Sequence, residues 1–279
     1  MKCPRILHYP GSKWSLSDWI IEHMPPHQTY LEPFFGSGAV FFNKVPSPLE
    51  TINDLDGDVV NLFKVIRDHP EELANKVKWT PYSREEYYNA YHVESQMDEL
   101  ERARLFLVRC WMARGGKTSD RTGWKHNIDV SKSPNNRMPD QWGKVPDRIL
   151  AVTDRLKRVQ IEQQPALQLI ERYKIPSVLI YADPPYLLST RSKRLYKNEM
   201  KDADHIELLD ALDEHPGPVI LSGYDNDLYN NRLKHWRREE KKALAEMGRI
   251  RTEVIWINPV AADQVGQQTI FSLPGIQLG

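Results

Sequence analysis

Five uninterrupted apolar residues, Val178-Leu179-Ile180-Tyr181-Ala182, stand past the middle of the chain, and an acid follows directly. A run this short, β-rich and free of alternation reads as a strand covered on both faces of a parallel sheet. The first third of the chain carries two weaker strand signals, at Tyr30-Leu31 and in "ETIND" at 50–54. A turn with Gly36 and Gly38 and then a helix follow the first. After the second comes a stretch in which Val59, Leu62, Phe63 and Ile66 recur at helical spacing. This βαβα opening predicts a parallel sheet with covering helices.

The alternation is then interrupted. From Trp79 to Gly116 the pattern is almost wholly helical, with Ser83 as cap and Glu86 three positions on. A polar, turn-rich stretch follows, carrying Trp124 and Trp142. A loop of such length inside a compact domain usually carries function, and its aromatic residues disfavour a disordered linker. The expected division is therefore a first catalytic part at 1–66, a helical insertion ending in a recognition loop at 67–145, and a second catalytic part at 146–279. In that last part strands are predicted at Val159–Ile161, Val178–Ala182 and 218–224, with a helix over "DADHIELLDALDEH". A closing hairpin is predicted near Leu233–Arg238 and Arg251–Ile257.

A chain of 279 residues can bury a large core as one domain or two smaller ones. Lysines plus arginines balance aspartates plus glutamates at 38 each, which gives no overall bias toward an acidic or basic partner. Cys3 and Cys110 lie far apart, which argues against a disulfide framework or a zinc knuckle and fits a reducing compartment. No apolar run reaches membrane-spanning length and the start lacks a signal-peptide core. A cytoplasmic protein without a membrane or metal partner, monomeric, is the expectation.

Local charge changes the picture. Between Arg109 and Arg137 lie seven basic residues (Arg109, Arg114, Lys117, Arg121, Lys125, Lys132, Arg137) against Asp120 and Asp129. A second run, Arg191, Lys193, Arg194, Lys197 and Lys201, is opposed by Glu199. Either run taken alone is ordinary solvated surface; two of them, one just after a central strand, point to a groove that contacts phosphates.

The candidate chemistry sits at strand ends, where open α/β sheets bind ligands. Gly36 and Gly38 form a strand-to-helix turn that serves close ligand approach or simple punctuation; neither the dinucleotide fingerprint nor the P-loop spacing is present. Asp54 ends the next strand, where an acid accepts from ribose hydroxyls or merely caps a helix. "DPPY", residues 183–186, is more informative. Pro184 and Pro185 hold the backbone extended and stiff. Asp183 and the Pro184 carbonyl can each accept an N–H of an exocyclic amine, while Tyr186 stacks on its ring. A nitrogen held this way can attack an electrophilic methyl group directly, with Asp183 stabilising the positive charge that develops.

In order along the chain, "YPGSK", "YLEPFFGSGAVFFN", "INDLD", "DPPY" and "RTEVIWINP" resemble the motifs of Dam-type, class α (D12) DNA adenine-N6 methyltransferases. The resemblance implies a Rossmann-like α/β fold with a seven-stranded mixed sheet and a helical target-recognition insertion. It also implies S-adenosylmethionine as cofactor, S-adenosylhomocysteine as product, and double-stranded DNA as partner. Cofactor-binding residues implied are Tyr9, Gly11, Lys13, Glu32, Pro33, Phe34, Gly36, Gly38, Asp54, Gln164 and Asp183. Asp183, Pro184, Pro185 and Tyr186 are the implied catalytic residues. The target base must leave the duplex to reach them. Arg114, Lys117, Arg121, Lys125, Arg137, Arg191, Lys193 and Arg194 are the candidate DNA contacts. Two departures stand out: Pro165 where the family commonly has an acid, and Ser222-Gly223 where it often has Ser-Asn. An RNA adenine methyltransferase and a silent cofactor- or DNA-binding module are the alternatives.

Overall fold

The apolar run forms a strand in the middle of a seven-stranded sheet. The structure is a computed structural model that describes residues 3–94, 96–116, 120–129, 137–191, 194–244 and 250–271. Its strands are β1 (Thr29–Glu32), β2 (Leu49–Asn53), β3 (Gln160–Glu162), β4 (Val178–Ala182), β5 (Val219–Tyr224), β6 (Arg237–Leu244) and β7 (Ile250–Ile257). They lie in the order β3-β2-β1-β4-β5-β7-β6. The first five pair in parallel, whereas β7 is antiparallel to both β5 and β6. The sheet is thus mixed, and its second half closes with the expected hairpin.

All five residues of β4 are buried, and the two faces explain why the run has no alternation. Val178, Ile180 and Ala182 pack with Leu31, Val219, Leu221, Leu208 and Leu212 on one side. Leu179 and Tyr181 pack with Tyr30, Ile52, Ile220, Val59 and Phe63 on the other. The second side carries α1 (Ser17–Glu22), α2 (Ala39–Asn43), α3 (Gly57–Asp68), α4 (Pro70–Lys78), α5 (Arg84–Asn89), α6 (Glu99–Met112), α7 (Met138–Gly143) and α8 (Val145–Leu156). The first side carries α9 (Ala166–Arg172), α10 (Asp202–Asp213) and α11 (Asp227–Arg232). After β7 the chain ends the described region in α12 (Pro259–Phe271). Among the described residues no helix is long and apolar enough to cross a membrane.

Two expectations need correction. The stretch from 79 to 116 is not one helix: Ser83 does cap α5, its Oγ accepting from the Glu86 amide at 3.1 Å, but the helix stops near Ala90. A second cap, Asp98, starts α6 by accepting from the Glu101 amide at 3.2 Å. The strand expected near Leu233–Arg238 begins at Arg237, because Leu233 and Trp236 are spent on the apolar core beside α11. Six of the eight residues of β6, Arg237 to Lys242, are charged, so no hydrophobic period marks this edge strand.

Residues 70–112 do not build a separate core. Leu73, Val77, Tyr87, Phe106 and Trp111 belong to the same apolar cluster as Tyr30, Ile52 and Leu179 of the sheet. Between β1 and β4 the strand order reverses, β1 continuing outward to β2 and β4 to β5. The carboxyl ends of these two neighbours border the crevice that such a reversal opens.

Candidate active site

Three acids stand at this crevice: Glu32 ends β1, Asp54 follows β2 and Asp183 follows β4. They line one cavity of about 350 Å³, within the range of small-molecule sites. Tyr9, Gly11, Lys13, Pro33, Phe34, Gly36 and Gln164 line it too, so ten of the eleven residues assigned to the cofactor from sequence surround one space. Gly38 stands behind it. Its φ is +65°, and a Cβ there would lie 2.4 Å from the Phe35 ring, so the turn needs glycine at this place.

Backbone and side chains hold the wall in shape. Asp54 accepts from the Gly36 amide through Oδ2 and from the Asp56 amide through Oδ1, both at 2.8 Å. Asn53 is a hub that sequence reading did not single out. Its Nδ2 donates to the carbonyls of Pro33 and Gln164 at 2.9 and 3.0 Å, and its Oδ1 accepts from the Gln164 amide at 2.8 Å. The ends of β1 and β2 and the loop after β3 are thereby tied together. Pro165 occupies the N-cap of α9 and lines the cavity, while the neighbouring Gln164 side chain is engaged by Glu162 and Arg172.

The segment 196–200 also lines the cavity, and nothing in its sequence announces this. Tyr196 donates to the Pro10 carbonyl at 3.3 Å and presses on Gly11, where a Cβ would lie 2.3 Å from the Tyr196 oxygen. Lys197, counted from sequence within a basic run, reaches toward Asp56 at 3.8 Å.

Asp183 receives two partners. Ser222 on β5 donates to its Oδ1 at 2.8 Å, which gives the unassigned Ser222-Gly223 pair a contact with the tetrapeptide. Lys13 lies 3.1 Å from its Oδ2 and donates to the Gly11 carbonyl at 2.7 Å. The Lys13 ammonium also stands 4.7 Å from the centre of the Tyr186 ring. Tyr186 is not part of the cavity wall; its ring meets Tyr224 edge-on at 4.5 Å and its hydroxyl donates to Glu253 on β7 at 2.9 Å. Burial works against the Lys13 charge, but the carboxylates of Asp183 and Glu253 outweigh it and raise its pKa.

Burial dominates the other acids. It raises Asp54 to about 6 against the two backbone N–H bonds. It pushes Glu32 up to about 8, opposed by the 2.7 Å bond from Tyr30 and reinforced by the Asp183 charge. With its folded pKa above its unfolded value, Glu32 contributes stability that is complete below about pH 4.5 and is lost as pH rises through about 8. The slope approaches about 1.4 kcal/mol per pH unit in that window. Glu32→Gln should therefore flatten the decline of melting temperature between pH 5 and 8, with the largest gain at pH 8. Equal slopes for both proteins would show that Glu32 is ionised throughout.

The basic residues separate into two kinds. Arg114, Arg121 and Lys125 share one loop closed onto the end of α6, where the Arg114 amide meets the Gly123 carbonyl at 2.9 Å and the Lys125 amide meets Met112 at 2.7 Å. Tyr82 and Tyr87 brace the loop by donating to the carbonyls of Lys125 and Thr122. Arg114, Arg121, Arg137 and Arg194 are exposed; Arg121 lies over the Tyr88 ring and Arg137 pairs with Asp140. Arg191 is different and corrects the expectation of a phosphate contact. Its side chain is 4% exposed and clasps Glu199, and its Nε donates to the Tyr186 carbonyl at 2.7 Å. Arg109 is likewise internal, bound to Asp58 and the Ala90 carbonyl. Lys117 and Lys193 lie outside the described residues.

The family model of the D12 class N6 adenine-specific DNA methyltransferases matches residues 9–247. The chain belongs to this family. It is 22% identical over 254 residues to the DNA adenine methylase of Escherichia coli strain K12, covering 87% of each chain. It is 24% identical to the type II methyltransferase M1.LlaDCHI of Lactococcus lactis subsp. cremoris, over 86% of this chain and 88% of that one. The type II methyltransferase M.MjaIII of Methanocaldococcus jannaschii is also 24% identical, over 82% and 87%. In this D12 methyltransferase, the matched span contains the cavity, the basic loop after α6 and the tetrapeptide.

Proposed function

We propose that the cavity between β1 and β4 holds S-adenosylmethionine and that the Asp183–Tyr186 corner receives an adenine turned out of duplex DNA. The single observation that carries the reading is the adjacency of an Asp-Pro-Pro-Tyr corner to a glycine-turned cavity, with Asp183 and Pro185 in the wall of both. The lining fits the cofactor. Gly36 has φ +49°, letting a ligand approach the backbone; Asp54 offers a carboxylate to ribose hydroxyls; and Asp56, Asp204 and Glu207 give the space an acidic lining suited to a cationic ligand. When bound, S-adenosylmethionine supplies an electrophilic methyl group on a sulfonium.

The protein's own work is to prepare the nitrogen. Asp183 and the Pro184 carbonyl accept the two N–H bonds of the adenine amine, directing its lone pair toward the cavity. Tyr186, buried and fixed by Glu253 and Tyr224, presents a ring to the base. As the nitrogen becomes positive, the Asp183 carboxylate binds it more tightly than it bound the neutral amine, so the contact favours the transition state. Ser222 keeps that carboxylate aimed. Extruding the base costs a few kcal/mol, which contacts from the loop bearing Arg114, Arg121 and Lys125 offset.

Incubation with methyl-labelled cofactor and a mixture of unmodified duplex DNA and RNA should place label in N6-methyladenine of the DNA; label confined to RNA, or none, would overturn the reading. Arg121→Ala should weaken DNA binding and reduce the slope of log affinity against log salt by about 1. An unaltered slope would remove Arg121 from the phosphate contacts.

A further inference from the structure

We infer that Glu253 is a positioning residue that takes over the Lys13 ammonium when the target amine takes Asp183. The inference rests on the reading of the Asp183–Tyr186 corner as the adenine site. Of the two Asp183 oxygens, Oδ1 already accepts from Ser222 at 2.8 Å. Oδ2 is the oxygen open to an incoming N–H, and Lys13 lies 3.1 Å from it. The same ammonium stands 4.7 Å from the Tyr186 ring centre. Lys13 therefore makes the carboxylate and ring contacts that the adenine must make, and the two compete for one place.

A displaced ammonium cannot remain alone there. Lys13 is 4% exposed, and a buried charge without a partner is strongly disfavoured. Its link to the Gly11 carbonyl keeps it in the neighbourhood but brings no opposite charge. Glu253 does: its Oε2 accepts from the Tyr186 hydroxyl at 2.9 Å, on the ring beneath Lys13. Each charge is felt by the other, since Glu253 helps raise the Lys13 pKa and Lys13 offsets the burial that raises Glu253. A carboxylate at position 253 gives the lysine a second seat and leaves Asp183 free at the moment the amine arrives.

The test is a double-mutant cycle with Glu253→Gln and Lys13→Met, read as kcat/KM for DNA, with cofactor affinity measured separately by calorimetry. Glutamine keeps an oxygen for the Tyr186 hydroxyl and removes only the charge. Glu253→Gln alone should lower kcat/KM about tenfold or more with cofactor affinity held within about twofold; in the Lys13→Met background the same change should cost no more than about twofold. Equal losses in both backgrounds, or no loss in either, would overturn the inference. Failure of the unaltered enzyme to methylate adenine would instead bring down the site reading beneath it.

Discussion

Asp183→Ala is expected to abolish methyl transfer while the cofactor still binds. The carboxylate is the one group at the corner whose attraction grows as charge appears on the nitrogen, and loss of such a contact costs roughly 10²–10³-fold in kcat. Two features shape the experiment. Alanine also strips Lys13 of its 3.1 Å partner, so a stability loss is expected beside the catalytic one. Asp183→Asn, which keeps the shape and an acceptor for Ser222, separates them: it should melt closer to the unaltered protein and still fail in transfer. Filter assays with labelled cofactor report turnover, and calorimetry reports cofactor affinity. Near-normal turnover in either variant would take Asp183 out of the chemistry.

The second large effect is expected at Arg191. Removing one member of a buried ion pair typically costs about 3–5 kcal/mol, and Arg191→Ala would leave the Glu199 carboxylate, 12% exposed, without its guanidinium. For a chain of this size the melting temperature should fall by on the order of 10 °C. Glu199 also accepts from the amides of Leu195 and Tyr196, so the segment that closes over Gly11 should loosen with it and cofactor affinity should drop. The salt dependence of DNA binding should stay unchanged. A stable variant with a shallower salt slope would return Arg191 to the DNA surface.

Arg191 also shows where sequence reading reaches its limit. A basic run can be counted along the chain, but which of its members turns inward depends on a partner eight residues away and on a carbonyl in the preceding loop. β1, β2, β4, β5 and β7 were legible because most of their length is apolar or covered by the core, and the short, half-exposed β3 was read one residue early, at Val159–Ile161 instead of Gln160–Glu162. β6 was misplaced because its residues are chosen for water and not for a neighbour. That these residues gather round one cavity was legible because motif order brings them together at the ends of β1, β2 and β4. Contacts between strands were not: Ser222 meets Asp183 across the β4–β5 pairing, and Glu253 meets Tyr186 from a strand that runs the other way. Asn53 stood in plain view at a strand end, yet its task as a tie among three loops follows only from their convergence.

The polar rim of the sheet carries a last consequence. One border is β3, three residues long; the other is β6, with its unbroken row of arginines, glutamates and lysines. Neither invites a foreign strand to dock and extend the ladder. Copies of this protein are thus guarded against sticking edge to edge into fibrils.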